Sequence, residues 1–285
     1  MFKRKILSKL EAWKRDERHK PLILRGARQV GKTTVVNEFG SQFDNYLYFN
    51  LEMNESVRLF EMDIPLNDLV NMLFASLGKS QREGSTLIFI DEIQNSPKTI
   101  ALLRYFYEQR PDLYVIAAGS LLENLVDVNV SFPVGRVMYM ALRPCSFYEF
   151  LGAIGKTNLL AVLSQKPEYT VVFHEQLMHH FNQYTIIGGM PEAVQRYAET
   201  QDIVAIEDVY ETLVQAYKDD SEKYVRGNKL IEVVRFILSY GWGFSGETIT
   251  LGNFANSGYK SREVGEAFRL LEKAMILELV YPVSS

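Results

Sequence analysis

The chain has 285 residues, 47% of them hydrophobic and 23% charged, with a formal net charge of −4; that is long enough for two domains with buried cores and too acidic for a surface given over wholly to nucleic acid. One cysteine, Cys145, excludes an internal disulfide framework and a cysteine-based zinc site, and four histidines, scattered apart from His179 and His180, argue against a histidine metal cluster. No apolar run approaches the roughly 18 residues that span a bilayer, and the start MFKRKILSKL lacks the apolar stretch of a secretory signal, so no membrane partner is expected and the chain is expected in the cytoplasm.

Residues 1–20 carry eight Lys or Arg against three acids. Such a segment suits contact with phosphate backbones or an acidic partner. It equally suits an amphipathic helix whose apolar face, Phe2, Ile6, Leu10 and Trp13, packs on the core, and this second reading is preferred. β-rich runs follow at 22–26, 46–51, 86–91, 113–118 and 137–142, nearly continuous in Leu, Ile, Val, Phe and Tyr as in a parallel sheet covered on both faces. Helical patterns lie between them at 32–40, 66–78, 97–109 and 121–127, with Ser96 as N-cap and Pro97 at the first position of the third. Residues 1–145 therefore read as an α/β domain. Beyond Pro144 the chain reads as helices at 146–154, 171–184, 192–198, 202–218 and 229–240 and near 250–256. A helix from 261, capped by Ser261, and a strand over 276–283 complete the pattern, which is similar to the start of a winged helix.

Gly26-Ala27-Arg28-Gln29-Val30-Gly31-Lys32-Thr33, with Thr34 behind it, fits the phosphate-loop pattern G-x4-G-K-[ST] between a predicted strand and a predicted helix. Its glycines let backbone N–H groups turn inward around phosphate oxygens, and the helix behind offers its N-terminus to the same anion. Lys32 is expected on the β- and γ-phosphates of ATP and the Thr33 hydroxyl on Mg²⁺. Four β-type residues then deliver Asp91 and Glu92 to a strand end, Asp91 suited to hold Mg²⁺ and Glu92 to orient and deprotonate a water. A water-activating base favours hydrolysis over transfer to another acceptor. Ser120 ends the fourth strand run, where a γ-phosphate sensor or a plain N-cap would fit. Arg136 and Arg143 flank the fifth run, each read either as a neutraliser of γ-phosphate charge or as a surface residue.

Together GARQVGKT, LIFIDEIQ, AAGS, FPVGR and LRPCSFYEFL resemble the AAA-type ATPases paired with a C-terminal domain of unknown function, near the archaeal ATPases and the STAND NTPases. The resemblance spans about residues 1–280. It implies a five-stranded parallel P-loop NTPase core, a helical lid over 146–226 and a winged-helix-like segment over 227–285, with a further α/β domain beyond Ser285. It implies that Lys32, Thr33, Asp91 and Glu92 have the roles given above, that Ser120 is sensor 1, and that Arg136 is an arginine finger acting on a neighbouring subunit of a homo-oligomer. Ser120 is shorter than the residue often found there. Gly189-Met190-Pro191 matches the lid motif whose proline touches adenine, although a simple helix break explains the same letters. The function so implied is ATP hydrolysis driving lid movement. The alternative is a nucleotide-gated switch that binds a protein or DNA. DNA is the weaker partner, since residues 260–273 balance Lys260, Arg262, Arg269 and Lys273 against Glu263, Glu266 and Glu272.

Overall fold

The computed structural model describes residues 2–81, 83–119, 133, 135–224 and 227–281. Its centre is one parallel sheet of β1 (Leu22–Arg25), β2 (Asn45–Asn50), β3 (Thr86–Asp91), β4 (Leu113–Gly119) and β5 (Met138–Ala141), in the order β2-β3-β4-β1-β5. The five β-rich runs are these strands, each bound within a residue or so of its expected position. Alternate side chains serve opposite faces. Leu87 and Phe89 of β3 join the cluster holding α1 (Ile6–Arg15) and α2 (Lys32–Gly40), while Ile88 and Ile90 join the one holding α4 (Leu66–Ser76) and α5 (Pro97–Gln109). A short α3 (Asn54–Phe60), which the sequence does not announce, contributes Phe60 to the second cluster.

α1 settles the reading of the basic N-terminus. Ile6, Leu7, Leu10 and Trp13 are buried against the sheet, and burying each large apolar side chain stabilises by about 1.5–3 kcal/mol. The Trp13 indole N–H also donates to the Lys20 carbonyl. α5 starts where the local chemistry places it: Ser96 Oγ accepts from the Thr99 N–H, with Pro97 at the first helical position.

The second half is helical: α6 (Phe147–Ala153), α7 (Thr157–Leu163), α8 (Pro167–Thr170), α9 (His174–Ile187), α10 (Pro191–Thr200), α11 (Glu207–Tyr224), α12 (Asn228–Tyr240) and α13 (Ser261–Lys273). Its buried face is continuous with the α1–α2 side of the core, through Phe150, Ala193, Leu213, Val234 and Phe268 among others. No helix among the described residues is long and apolar enough to cross a membrane.

Three expectations are corrected here. The helix near 250–256 is a single 3-10 turn, Phe254–Asn256, with Asn253, Ala255 and Asn256 all at positive φ, a conformation an α-helix cannot propagate. Ser261 is the first residue of α13, not its cap; Glu263 closes the turn by accepting from the Lys260 N–H. Residues 276–281 form no strand, because no described strand lies alongside to complete a ladder; the Leu279 N–H is instead satisfied by the Glu272 carboxylate. The helix expected over 121–127 lies outside the described residues.

Candidate functional site

The loop between β1 and α2 opens at the carboxyl edge of the sheet, where open parallel sheets place their ligands. A Cβ on Gly26 would stand 2.4 Å from the Leu142 carbonyl oxygen, so only glycine lets β1 leave the sheet this close to the end of β5. Gly31, at φ 88, and the exposed Gln29, at φ 63, turn the loop into the N-terminus of α2. Lys32 is buried, and its ammonium donates to the Gly26 and Ala27 carbonyls, both at 2.9 Å. Burial pushes its pKa down, while Glu92 and Asp91 nearby oppose the shift.

The acidic strand end meets this loop. The Thr33 hydroxyl, in the first turn of α2, donates to Asp91 Oδ2 at 2.6 Å, and Asp91 Oδ1 accepts from the Glu92 N–H at 3.0 Å. Glu92 sits at φ 54, ψ 43, a left-handed conformation that costs a non-glycine residue about 1–3 kcal/mol and concentrates at functional sites. It turns the chain sharply off β3. The Gln94 amide donates to Glu92 Oε2, while the buried Gln94 Oε1 has no partner among the described residues; bound water commonly satisfies such groups. Desolvation raises the pKa of both Asp91 and Glu92 against the hydrogen bonds that lower them. A hydroxyl and a buried carboxylate brought within 2.6 Å are the hard oxygen donors that Mg²⁺ takes. The ion draws its other ligands from phosphate and water, so two protein groups suffice and the residues fit it.

Of the other predicted residues, Pro191 joins the site. It opens α10, and its Cγ lies 3.9 Å from where a Gly31 Cβ would stand. The Gly189 carbonyl accepts from the Cys145 N–H at 2.6 Å, which ties this helix break to the end of the core. Thr34 is exposed on α2. Ser120 lies outside the described residues. Arg136 is elsewhere: it precedes β5, whose first residue Met138 pairs with Leu22 at the start of β1, so it stands at the amino edge, opposite the loop. There its Nε donates to Glu108 Oε1 at 2.6 Å, beside Arg104 on the same carboxylate. Arg143 lies at the carboxyl edge but pairs with Glu278 on the surface.

Four residues at the loop were not singled out from the sequence. Arg4 is buried and donates to the Val30 carbonyl at 2.9 Å, to the Arg143 carbonyl at 2.7 Å and to Glu149 Oε1 at 3.0 Å. Glu149 also accepts from the Lys5 N–H and from the N–H and hydroxyl of Ser146. Burial would raise its pKa, but these donors and the Arg4 charge outweigh it and hold the carboxyl below its ordinary value. On the other flank Arg28 reaches both carboxylate oxygens of Asp220 in α11, at 2.6 and 2.7 Å, and the Tyr217 hydroxyl donates to the Arg28 carbonyl at 3.3 Å. The Ser146-x-x-Glu149 capping box was visible as a pattern. Tyr217 carried no signal beyond its place in the apolar stripe of the helix read over 202–218, and Asp220 carried none.

Residues 18–151 match the family model of the AAA domain, and residues 178–285 match that of a domain of unknown function. No curated protein matches the sequence. Among solved structures, a Walker-type ATPase of Pyrococcus abyssi is similar over 96% of this chain and 90% of its own at 16% identity, with a TM-score of 0.54, a likeness of fold. PCH-2 of C. elegans (13% identity, 73% of this chain and 68% of its own, TM-score 0.40) and the Aeropyrum pernix ORC1 protein in complex with DNA (15%, 97% and 78%, 0.38) are too distant to carry an argument.

Proposed function

We propose, on the premise that residues 18–151 match the AAA domain and residues 178–285 a domain of unknown function, that the chain is an AAA-type P-loop ATPase that binds ATP with Mg²⁺ and hydrolyses it to move the helical half against the core. The observation that carries this reading is the Thr33–Asp91 contact, which brings the phosphate loop and the acidic strand end to one point. Thr33 Oγ1 and Asp91 would hold Mg²⁺, which would supply charge neutralisation for the phosphates. Lys32 exchanges its two loop carbonyls for phosphate oxygens. Glu92, its carboxyl raised toward the working pH by desolvation, takes the proton of the attacking water. Pro191, beside Gly31, bounds the nucleotide on the lid side.

Arg136 stands at the amino edge, away from its own loop; on the proposed reading it serves a neighbouring subunit after release from Glu108. An arginine supplied in trans is worth about 10³–10⁵ in rate. Residues 146–226 act as lid and 227–285 as the segment that presents a protein partner. A second reading, a nucleotide-gated binding switch with little turnover, is favoured by the Arg28–Asp220 pair, which ties the loop directly to α11. DNA remains the weaker partner, because residues 260–273 nearly balance their basic and acidic side chains.

The experiment is Mg²⁺-dependent ATP hydrolysis at increasing protein concentration, beside Lys32→Ala and Arg136→Ala. Specific activity that rises with concentration, falls with Arg136→Ala and vanishes with Lys32→Ala is the expected result. Flat, barely measurable turnover with tight ATP binding selects the switch instead.

A further inference from the structure

A phosphate loop works only if its N–H groups point inward, and a free loop has no reason to keep them there. In a trans peptide the C=O of one residue and the N–H of the next lie in one plane and point in opposite directions. Whatever fixes the Val30 carbonyl therefore fixes the Gly31 N–H on the other side. Gly31 is the weak joint of the loop, because glycine tolerates either sign of φ and lets the preceding peptide flip. A flipped peptide would aim a carbonyl oxygen at the phosphates.

Arg4 holds that carbonyl. Its guanidinium donates to Val30 O at 2.9 Å from one nitrogen, to Arg143 O from a second and to Glu149 from the third, which leaves a planar group no freedom to rotate. Both charges are shielded, with Arg4 6% and Glu149 8% exposed, unlike the exposed pairs that contribute little. Glu149 is locked in turn by Ser146 and the Lys5 N–H. The alignment of the loop thus descends from the capping box of α6, through a buried arginine before α1, to one peptide bond.

We propose that Arg4, oriented by Glu149, is a positioning residue of the phosphate site: it holds the Val30–Gly31 peptide so that the Gly31 N–H faces the phosphates. The proposal rests on the ATP-binding reading above. Its chemistry concerns phosphate alone, so it applies equally to ATP and to a bare polyphosphate.

The test measures the affinity of the full chain for ATP and for inorganic tripolyphosphate, with thermal unfolding alongside, in Arg4→Met, Arg4→Lys and Glu149→Gln. Arg4→Met is expected to weaken both ligands by the same factor, about tenfold for one misaligned backbone donor to an anion, with KM raised and kcat held. Arg4→Lys should recover part of the loss. A folded Arg4→Met that binds both ligands as the wild type does overturns the proposal, and so does a loss confined to ATP. If Arg4→Met does not fold, Glu149→Gln decides: a matched loss on both ligands supports the proposal, and a lowered melting temperature with unchanged affinities overturns it. Wild-type protein that binds neither ligand overturns the nucleotide reading itself, and this proposal with it.

Discussion

The two halves of the molecule meet at the phosphate loop and treat it differently. The α/β half supplies the groups of the proposed chemistry, Lys32, Thr33, Asp91 and Glu92, all within a few residues of the carboxyl ends of β1 and β3. The helical half supplies none of these, yet it grips the loop at two points, through Glu149 with Arg4 and through Tyr217 and Asp220 at Arg28. On the proposed reading the core fixes what can be done to a phosphate, and the helices fix how the loop is held while it is done. Any movement of α6 or α11 must change those grips, which makes the loop the natural place for nucleotide and helices to sense one another.

This division can be broken most sharply at Glu92. Glu92→Gln should lower kcat about 10²–10⁴-fold, the range for loss of a general base, while ATP affinity changes little. An equal fall in affinity would place Glu92 among the binding groups and erase the distinction. A smaller effect is expected at the α11 grip. Asp220→Asn keeps the shape and removes the charge facing Arg28, so ATP affinity should shift by about two- to tenfold, in line with one partly exposed charge-assisted bond. Protection of α12 amides from hydrogen exchange should then respond less to nucleotide than in the wild type. Unaltered coupling would mean that the helical half senses the loop by packing alone.

The smallest effect concerns acid. Glu149 has its folded-state pKa held below the unfolded value, so its contribution to stability is fully present above the ordinary glutamate range (about 4.3) and is lost as pH falls through the lower folded value. Asp91 and Glu92, raised by desolvation, act with the opposite sign. Melting curves of wild type and Glu149→Gln between neutral and acid pH separate the two. The gap between them should close on acidification, and a gap that is constant with pH would show that Glu149 carries no titrating share.

Legibility followed the same division. β1, β3 and β4 could be read because each is a short apolar run buried on nearly every residue; β2 and β5, which leave one face or both half-buried or exposed, could be read from their β-prone Tyr, Leu, Phe and Met residues. Helix α5 could be read to the residue because Ser96 and Pro97 fix its start locally. Short helices such as α3 and α7 escaped, since each spans only seven residues and has a single fully buried side chain, Phe60 or Leu159, too little to establish a period. Of the strand expected over 276–283, the described residues 276–281 form none, because a β-prone run is a strand only when another strand lies beside it.

The sequence by itself determined the phosphate loop, the acidic strand end and the five-strand core, because each depends on residues adjacent in the chain: a turn that only glycine can make, a hydroxyl one position after a lysine, a carboxylate at the end of an apolar run. Only the tertiary structure decided which way the loop's peptides face and where Arg136 stands. Arg4 meets Glu149 across 145 positions and Arg28 meets Asp220 across 192, and no local pattern encodes a contact that exists only once the chain has closed upon itself. Arg136 follows the same rule. Its neighbours in sequence gave it a motif, but the parallel register of β5 with β1 put it at the opposite edge of the sheet.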